Sequence, residues 1–137
     1  MLYLADTSAW WRSRANESIA LRWARLLAGH DLAVCVPLQL ELLCSARGPA
    51  DYSVLQEELD ALVRLPATPD AEAEALKTQQ ALAAKSQHRG PKPMDVLIAA
   101  IAKVHGAVLL HYDRHFDLIV RITGQPAEWL ARRGTLG

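Results

Sequence analysis

Cysteine is scarce in this chain: two among 137 residues, Cys35 and Cys44, with no Cys-x-x-Cys and no knuckle-like cysteine–histidine spacing. That argues against a disulfide framework, and both thiols are expected to be buried and reduced, as in a cytosolic protein. Long apolar runs are also missing. Nothing approaches the ~20 residues of a membrane span, and no basic-then-apolar leader is present. The expectation is a soluble, cytoplasmic protein with no membrane partner. Net charge is the third absence, with fifteen Lys and Arg against fifteen Asp and Glu. Coating of nucleic acid through bulk positive charge is therefore disfavoured. A nucleic-acid substrate is not: were four acids gathered at one site and neutralised by cations, fifteen bases would face eleven acids, a balance of plus four. Repeats, linkers and low-complexity tails are absent too, so residues 1–137 read as one domain that buries roughly two thirds of its unfolded surface.

What is present is an alternation of short apolar strands and helices. Leu2 to Ala5 has the length of a buried strand and is cut off by Asp6-Thr7-Ser8, residues that favour a helix start. Asn16 caps a helix to about Ala28, with a stripe of Ile19, Ala20, Trp23, Leu26 and Leu27, and Arg12, Arg14, Arg22 and Arg25 nearby. Leu32 to Val36 is a second strand. Pro37 opens a helix that stops at Gly48-Pro49; Asp51 caps the next, and Val63 to Leu65 forms a short edge strand. A further helix spans Asp70 to Gln87, its stripe at Ala75, Leu76, Gln79, Leu82 and Ala83. After a polar loop from Ser86 to Pro93 come a nearly all-apolar helix, Met94 to Val104, a strand at Ala107 to Leu110, an apolar segment at Leu118 to Ile122 and a last strand around Ala127 to Leu130. Strands alternating with helices predict an α/β fold: one parallel sheet with helices on both faces.

Four acids fall at strand ends or in first helical turns. Asp6 ends the first strand, where open α/β sheets keep their sites if that strand is central, although a helix cap explains it equally well. Glu41 lies between Leu38, Leu40, Leu42 and Leu43, and an ionised carboxylate is rarely buried without a partner. Asp95 begins the most apolar helix, where the helix dipole alone accounts for an acid. Asp113 follows the fourth strand, and Asp117 either shares its site or caps the next segment. All could face one crevice. Carboxylates ~4 Å apart repel by about 4 kcal/mol at an effective dielectric of 20, so such a group has raised pKa values or holds a cation. Hard oxygen donors suit Mg²⁺ or Mn²⁺. His111 and His115 leave a strand rather than share a helix face, which speaks against zinc.

The order Leu-Ala-Asp-Thr-Ser-Ala, Pro37-x-x-x-Glu41, Pro-Met-Asp-Val-Leu-Ile-Ala-Ala-Ile-Ala and Leu-Leu-His-Tyr-Asp-Arg-His-Phe-Asp resembles the PIN-domain family, and within it the VapC-type toxins of bacterial toxin–antitoxin pairs. The resemblance covers nearly the whole chain. It implies a parallel sheet in the order 3-2-1-4-5, which sets Asp6 beside Asp113. It also implies a Mg²⁺- or Mn²⁺-dependent endoribonuclease, a homodimer held inactive by a cognate antitoxin. Asp6, Glu41, Asp95 and Asp113 match the family's acidic quartet, and Ser8 its hydroxyl beside the first acid. Asp6, Asp95 and Asp113 are then expected as direct or water-mediated ligands of the cation, and Glu41 as a ligand or the group that positions the attacking water. Lys92, Arg114 and the helix arginines are the candidates for phosphate contacts. One departure is His111, standing where the family often carries Thr or Ser two residues before the last acid; Asp117 is left as an additional candidate. The rival reading is a catalytically silent PIN-like scaffold acting by protein or RNA binding. A phosphatase with Asp6 as nucleophile is weaker, since Thr7-Ser8 rather than a second acid follows it.

Overall fold

The structure, a computed structural model, describes residues 1–136. Five short strands, β1 (Tyr3–Ala5), β2 (Leu32–Val34), β3 (Val63–Arg64), β4 (Val108–His111) and β5 (Ala127–Trp129), form one sheet in the order β3-β2-β1-β4-β5. Every neighbouring pair is parallel. The chain winds outward from β1 to β3, then crosses back to place β4 on the other side of β1. That reversal makes the carboxyl ends of β1 and β4 the topological switch point.

The helices are α1 (Thr7–Trp10), α2 (Glu17–Ala28), α3 (Val36–Cys44), α4 (Pro49–Asp60), α5 (Pro69–Ala84), α6 (Pro93–Val104) and α7 (His115–Thr123). Their starts follow local chemistry. Asn16 accepts a hydrogen bond from Ile19 N–H at 3.0 Å and Thr68 one from Ala71 N–H at 3.2 Å, while Pro37, Pro49, Pro69 and Pro93 stand in first turns, where no N–H is needed. Gly124, at φ 65°, ends α7 in the left-handed region.

Alternating strand residues face opposite sides of the sheet. Leu4, Ala33 and Leu109 join α3, α5, α6 and α7 in the larger core, with Ile98, Ile101, Leu82, Phe116 and Ile119 among its fully buried side chains. Ala5, Leu32 and Leu110 face the other way, against Ala9 of α1 and Ile19 and Trp23 of α2. No described helix is long and apolar enough to cross a membrane.

Four expectations are corrected. Cys35 is buried, but Cys44, the last residue of α3, is exposed. The same helix stops there rather than continuing to Arg47. Asp51 is not the cap of α4; Gly48 holds that place, and the Asp51 carboxylate, in the first turn, accepts the Arg47 N–H at 3.0 Å. In α5 the buried residues are Ala71, Thr78 and Leu82, and Leu76 is 71 % exposed. At 100° per residue Leu76 lies about 140° around the helix from Ala71, outside the stripe that meets the core.

Candidate active site

The first acid is built by β1 and α1 together. Asp6 N–H donates to the Leu110 carbonyl of β4 at 3.0 Å, which fixes its backbone at the switch point. Its carboxylate caps α1: Ser8 N–H donates to Oδ2 at 3.2 Å and the Ser8 hydroxyl to Oδ1 at 2.7 Å. Cap and site residue are therefore the same group. Asp6 is 2 % exposed. Burial, opposed by the Ser8 hydrogen bonds and helped by the charge of Asp95, pushes its pKa up to about 7.

Asp95 lies in the first turn of α6, 6 % exposed, and its Oδ2 accepts the Lys92 N–H at 3.2 Å. Burial raises its pKa and the neighbouring Asp113 charge adds to that, against the hydrogen bond from Lys92 and the charges of Lys92 and His115. Glu41, from α3, is likewise raised, first by burial and then by Asp95, with Lys92 opposing. Asp95 thus stands within electrostatic reach of each of the other three acids. Asp113 follows β4 by two residues; its Oδ1 accepts the His115 N–H at 2.9 Å and lies 3.2 Å from the His115 ring Nδ1. The leucines around Glu41 divide: Leu38, Leu42 and Leu43 are buried and Leu40 is 57 % exposed, so Glu41 sits at the rim of the core and not inside it.

The sequence pattern of the PIN domain matches residues 3–122. The chain belongs to the PIN-domain family. It is similar to Ribonuclease VapC18 of Mycobacterium tuberculosis, 40 % identical over 138 residues that cover 99 % of this chain and 100 % of the relative. Ribonuclease VapC51 of the same organism is 44 % identical over 135 residues, 98 % of this chain and 96 % of its own. Among solved structures, DNA-bound VapBC from Salmonella typhimurium superposes with a TM-score of 0.78 at 22 % identity, over 96 % of this chain and 100 % of that one. At that identity the likeness speaks for the PIN fold alone.

In this PIN domain His111 does a different job from a hydroxyl. Its ring is buried between Phe116 and Trp129, with centroids 5.0 and 4.9 Å away, and its Nδ1 accepts the Asp113 N–H at 3.3 Å. Burial holds its pKa below the usual histidine value, so the ring is neutral and Nδ1 remains an acceptor. Asp117 stands apart from the quartet. Its Oδ1 accepts the Trp129 Nε1–H at 3.1 Å and its Oδ2 lies 4.0 Å from Arg133, which straps α7 to the chain after β5.

His115 supports Asp113 rather than pairing with His111 at a metal, and the Asp-x-His step at a helix start is the sequence signal for that contact. The charge of Lys92 acts on both Glu41 and Asp95.

The donor set suits a hard divalent cation. Oε1 of Glu41 is buried and has no hydrogen-bond partner, which in a carboxylate calls for a positive ligand. Three of the acids have raised pKa values, the penalty a cation relieves. Among the described residues no three such side chains stand close enough to form a ready cage. Mg²⁺ needs none, since it binds through one or two carboxylates and keeps several waters.

Proposed function

We propose that this PIN domain, acting as the single domain 1–137, is a Mg²⁺- or Mn²⁺-dependent endoribonuclease of the toxin class, cytoplasmic, homodimeric and held inactive by a cognate antitoxin. What supports the reading is that Asp95 feels or exerts charge on each of Asp6, Glu41 and Asp113, with the Glu41 oxygen left unpartnered. Relatives named as ribonucleases, at 40 and 44 % identity, support RNA as the substrate. Solved VapBC complexes of the same fold support an antitoxin as the partner.

Asp6, Asp95 and Asp113 would hold the cation, one or two of them directly and the rest through its waters. Bound there, a divalent ion supplies an activated water and counters the negative charge that develops on the phosphodiester. The chain's own residues do the rest. Ser8 keeps the Asp6 carboxylate oriented through its two hydrogen bonds, and His115 does the same for Asp113. Glu41, with one oxygen free of protein partners, orients the attacking water or joins the ligands. Lys92 tempers the mutual repulsion of Glu41 and Asp95 before substrate arrives.

An apolar cleft of about 560 Å³ between α2 and α4, lined by Trp10, Trp11, Trp23, Leu27, Leu55 and Leu62, suits the antitoxin: an amphipathic helix lays its apolar face into such a groove. The test is the partner-free chain incubated with RNA and Mn²⁺, followed by sequencing of the RNA ends. Cleavage lost on chelation and in Asp95→Asn is expected. A folded chain that cuts no RNA under any divalent cation would overturn the reading in favour of a binding scaffold.

A further inference from the structure

A second feature lies on the far side of His115 from the acids. A cavity of about 340 Å³, lined by Gly90, Arg114, His115, Asp117, Arg121 and Arg133, opens between the loop before α6 and the outer face of α7. Its three guanidinium groups come from three separate places: the turn after β4, the body of α7 and the segment after β5. The one carboxylate in the wall, Asp117, is already engaged by Trp129 Nε1 and Arg133. Three positive groups against one negative leave the cavity at plus two in a chain whose formal charge is zero.

Three arginines elsewhere are neutralised locally, Arg22 by Glu128, Arg47 by Asp51 and Arg64 by Asp60, while others among the described residues, such as Arg14, Arg25 and Arg89, stand singly; at this cavity three line one wall. Among the described residues Arg114 and Arg121 have no carboxylate within 4.0 Å. Arg133 is held in place, its guanidinium 5.8 Å from the centre of the Trp129 ring. The loop closes over α7 so tightly at Gly90 that a Cβ there would stand 3.1 Å from Leu118 Cδ1 and 3.4 Å from His115 Cδ2. His115 is a shared wall, with Gly90 against one part of its ring and Asp113 on its Nδ1.

We propose that this cavity is a phosphate subsite for the RNA strand, gripping the backbone beside the scissile bond on the Asp113 side. The inference rests on the endoribonuclease reading above and adds to it the residues that position the strand: Arg114, Arg121 and Arg133. Guanidinium forks match phosphate oxygens in pairs, and three of them around a cavity open to solvent suit a backbone that enters and leaves. The acids alone would repel that backbone. A cationic cavity one side chain away from Asp113 offsets the repulsion and sets which phosphate faces the quartet.

The experiment measures binding of a short single-stranded oligoribonucleotide to the full chain carrying Asp6→Asn, which holds the strand without cutting it, across a series of monovalent salt concentrations. Each phosphate contact contributes about 0.7 to the slope of log affinity against log salt for a single strand. Arg121→Ala and Arg114→Ala are each expected to weaken binding several-fold and to reduce the slope by about 0.7, and the pair by about 1.4. Lys77→Ala, which removes a charge on α5 away from the cavity, leaves the slope unchanged. Arg121→Gln repeats the measurement with a polar side chain, and melting curves check that each variant folds. An unchanged slope in both arginine variants, with the parent still binding and the unaltered chain still cutting RNA, overturns the subsite and leaves the ribonuclease reading standing. An unaltered chain that neither binds nor cuts RNA overturns both. Variants that keep RNA affinity but lose binding of the antitoxin would make the cavity a protein-docking surface and overturn the subsite as well.

Discussion

Tyr112 and Ser8, 104 positions apart, are joined by a hydrogen bond of 2.8 Å from the Tyr112 N–H to the Ser8 hydroxyl oxygen. The same hydroxyl donates to Asp6 Oδ1 at 2.7 Å, so one side chain ties the exit of β4 to the carboxylate at the end of β1. Ser8→Ala leaves the Tyr112 N–H without its acceptor and removes a bond that favours ionised Asp6. The variant should lose about 1–3 kcal/mol of stability in denaturant melts. Its RNA cleavage should rise with pH later than that of the wild type, since Asp6 then holds its proton more firmly. An unshifted pH–rate profile would mean that Ser8 serves the fold and not the acid.

Asp6→Asn separates activity from stability. A buried carboxylate with a pKa near 7 costs the folded state most where it must ionise. At pH 8 the metal-free Asn variant should therefore match or exceed the wild type, by about 1–2 kcal/mol once the weaker hydrogen bonds to Ser8 are set against the relieved desolvation. At pH 4 that advantage should vanish. RNA cleavage should be abolished at both values, and a variant that cuts at the wild-type rate would remove Asp6 from the site.

The parts of the fold set by neighbours in the chain were legible in the sequence: Asn16 as a cap, Pro37 opening α3, strands ending at Asp6 and near Asp113. Sheet order was not, because nothing local to Leu4 says which strand lies beside it; the family resemblance supplied the order that β1 and β4 adopt. Leu76, Cys44 and Leu40 misled for a common reason. Each is apolar on a helix buried along one stripe only, and the position of that stripe depends on how the helix is rolled against the sheet. The quartet was readable as four acids at strand ends and helix starts. The basic cavity was not, since Arg114, Arg121 and Arg133 converge only when the loop at Gly90 and the chain after β5 close around α7.

Two opposing proton linkages set the pH dependence of the metal-free protein. Asp6, Glu41 and Asp95 have raised pKa values, so above about pH 4 the folded state keeps protons that the unfolded chain releases, and stability falls as pH rises. His111 has a lowered value, so below about pH 6.5 the unfolded chain takes up a proton first, and stability falls as pH drops. Each group contributes up to about 1.4 kcal/mol per pH unit inside its own window. The three carboxylates act together just above about pH 4 and Asp6, with its value near 7, carries the effect furthest, so the melting temperature without metal should decline toward about pH 7 and level off above it. His111→Asn removes the opposing group and should steepen the decline between pH 5 and 6.5. A melting temperature that climbs toward pH 8 in a chelator would mean that the acids are not desolvated.

The two thiols should differ sharply. Cys35 is buried with its pKa pushed up to about 11 and should resist thiol reagents in the native state, while exposed Cys44 should react at once. Mass spectrometry after brief alkylation checks this, and two modified residues in folded protein would show that β2 and α3 open readily.

The cation divides the enzyme from the scaffold. Because Asp95 is the acid that reaches each of the other three, it should dominate binding of the ion. A ligand that binds only the folded state stabilises it by RT ln(1 + [L]/Kd), about 2.7 kcal/mol at 100 times Kd. In a chain of this size that corresponds to a rise of roughly 8 °C in melting temperature. The rise with Mn²⁺ should be present at pH 7.5, small at pH 4 where the carboxylates are protonated, and nearly absent in Asp95→Asn. The same variant should melt higher than the wild type in a chelator at pH 7.5, since it has shed one of the repelling charges. A melting temperature indifferent to millimolar Mn²⁺ would leave either weak binding or acids that do not act together, and calorimetric titration decides between them: heat of binding that disappears in Asp95→Asn supports the shared site, and no heat in the wild type rules it out.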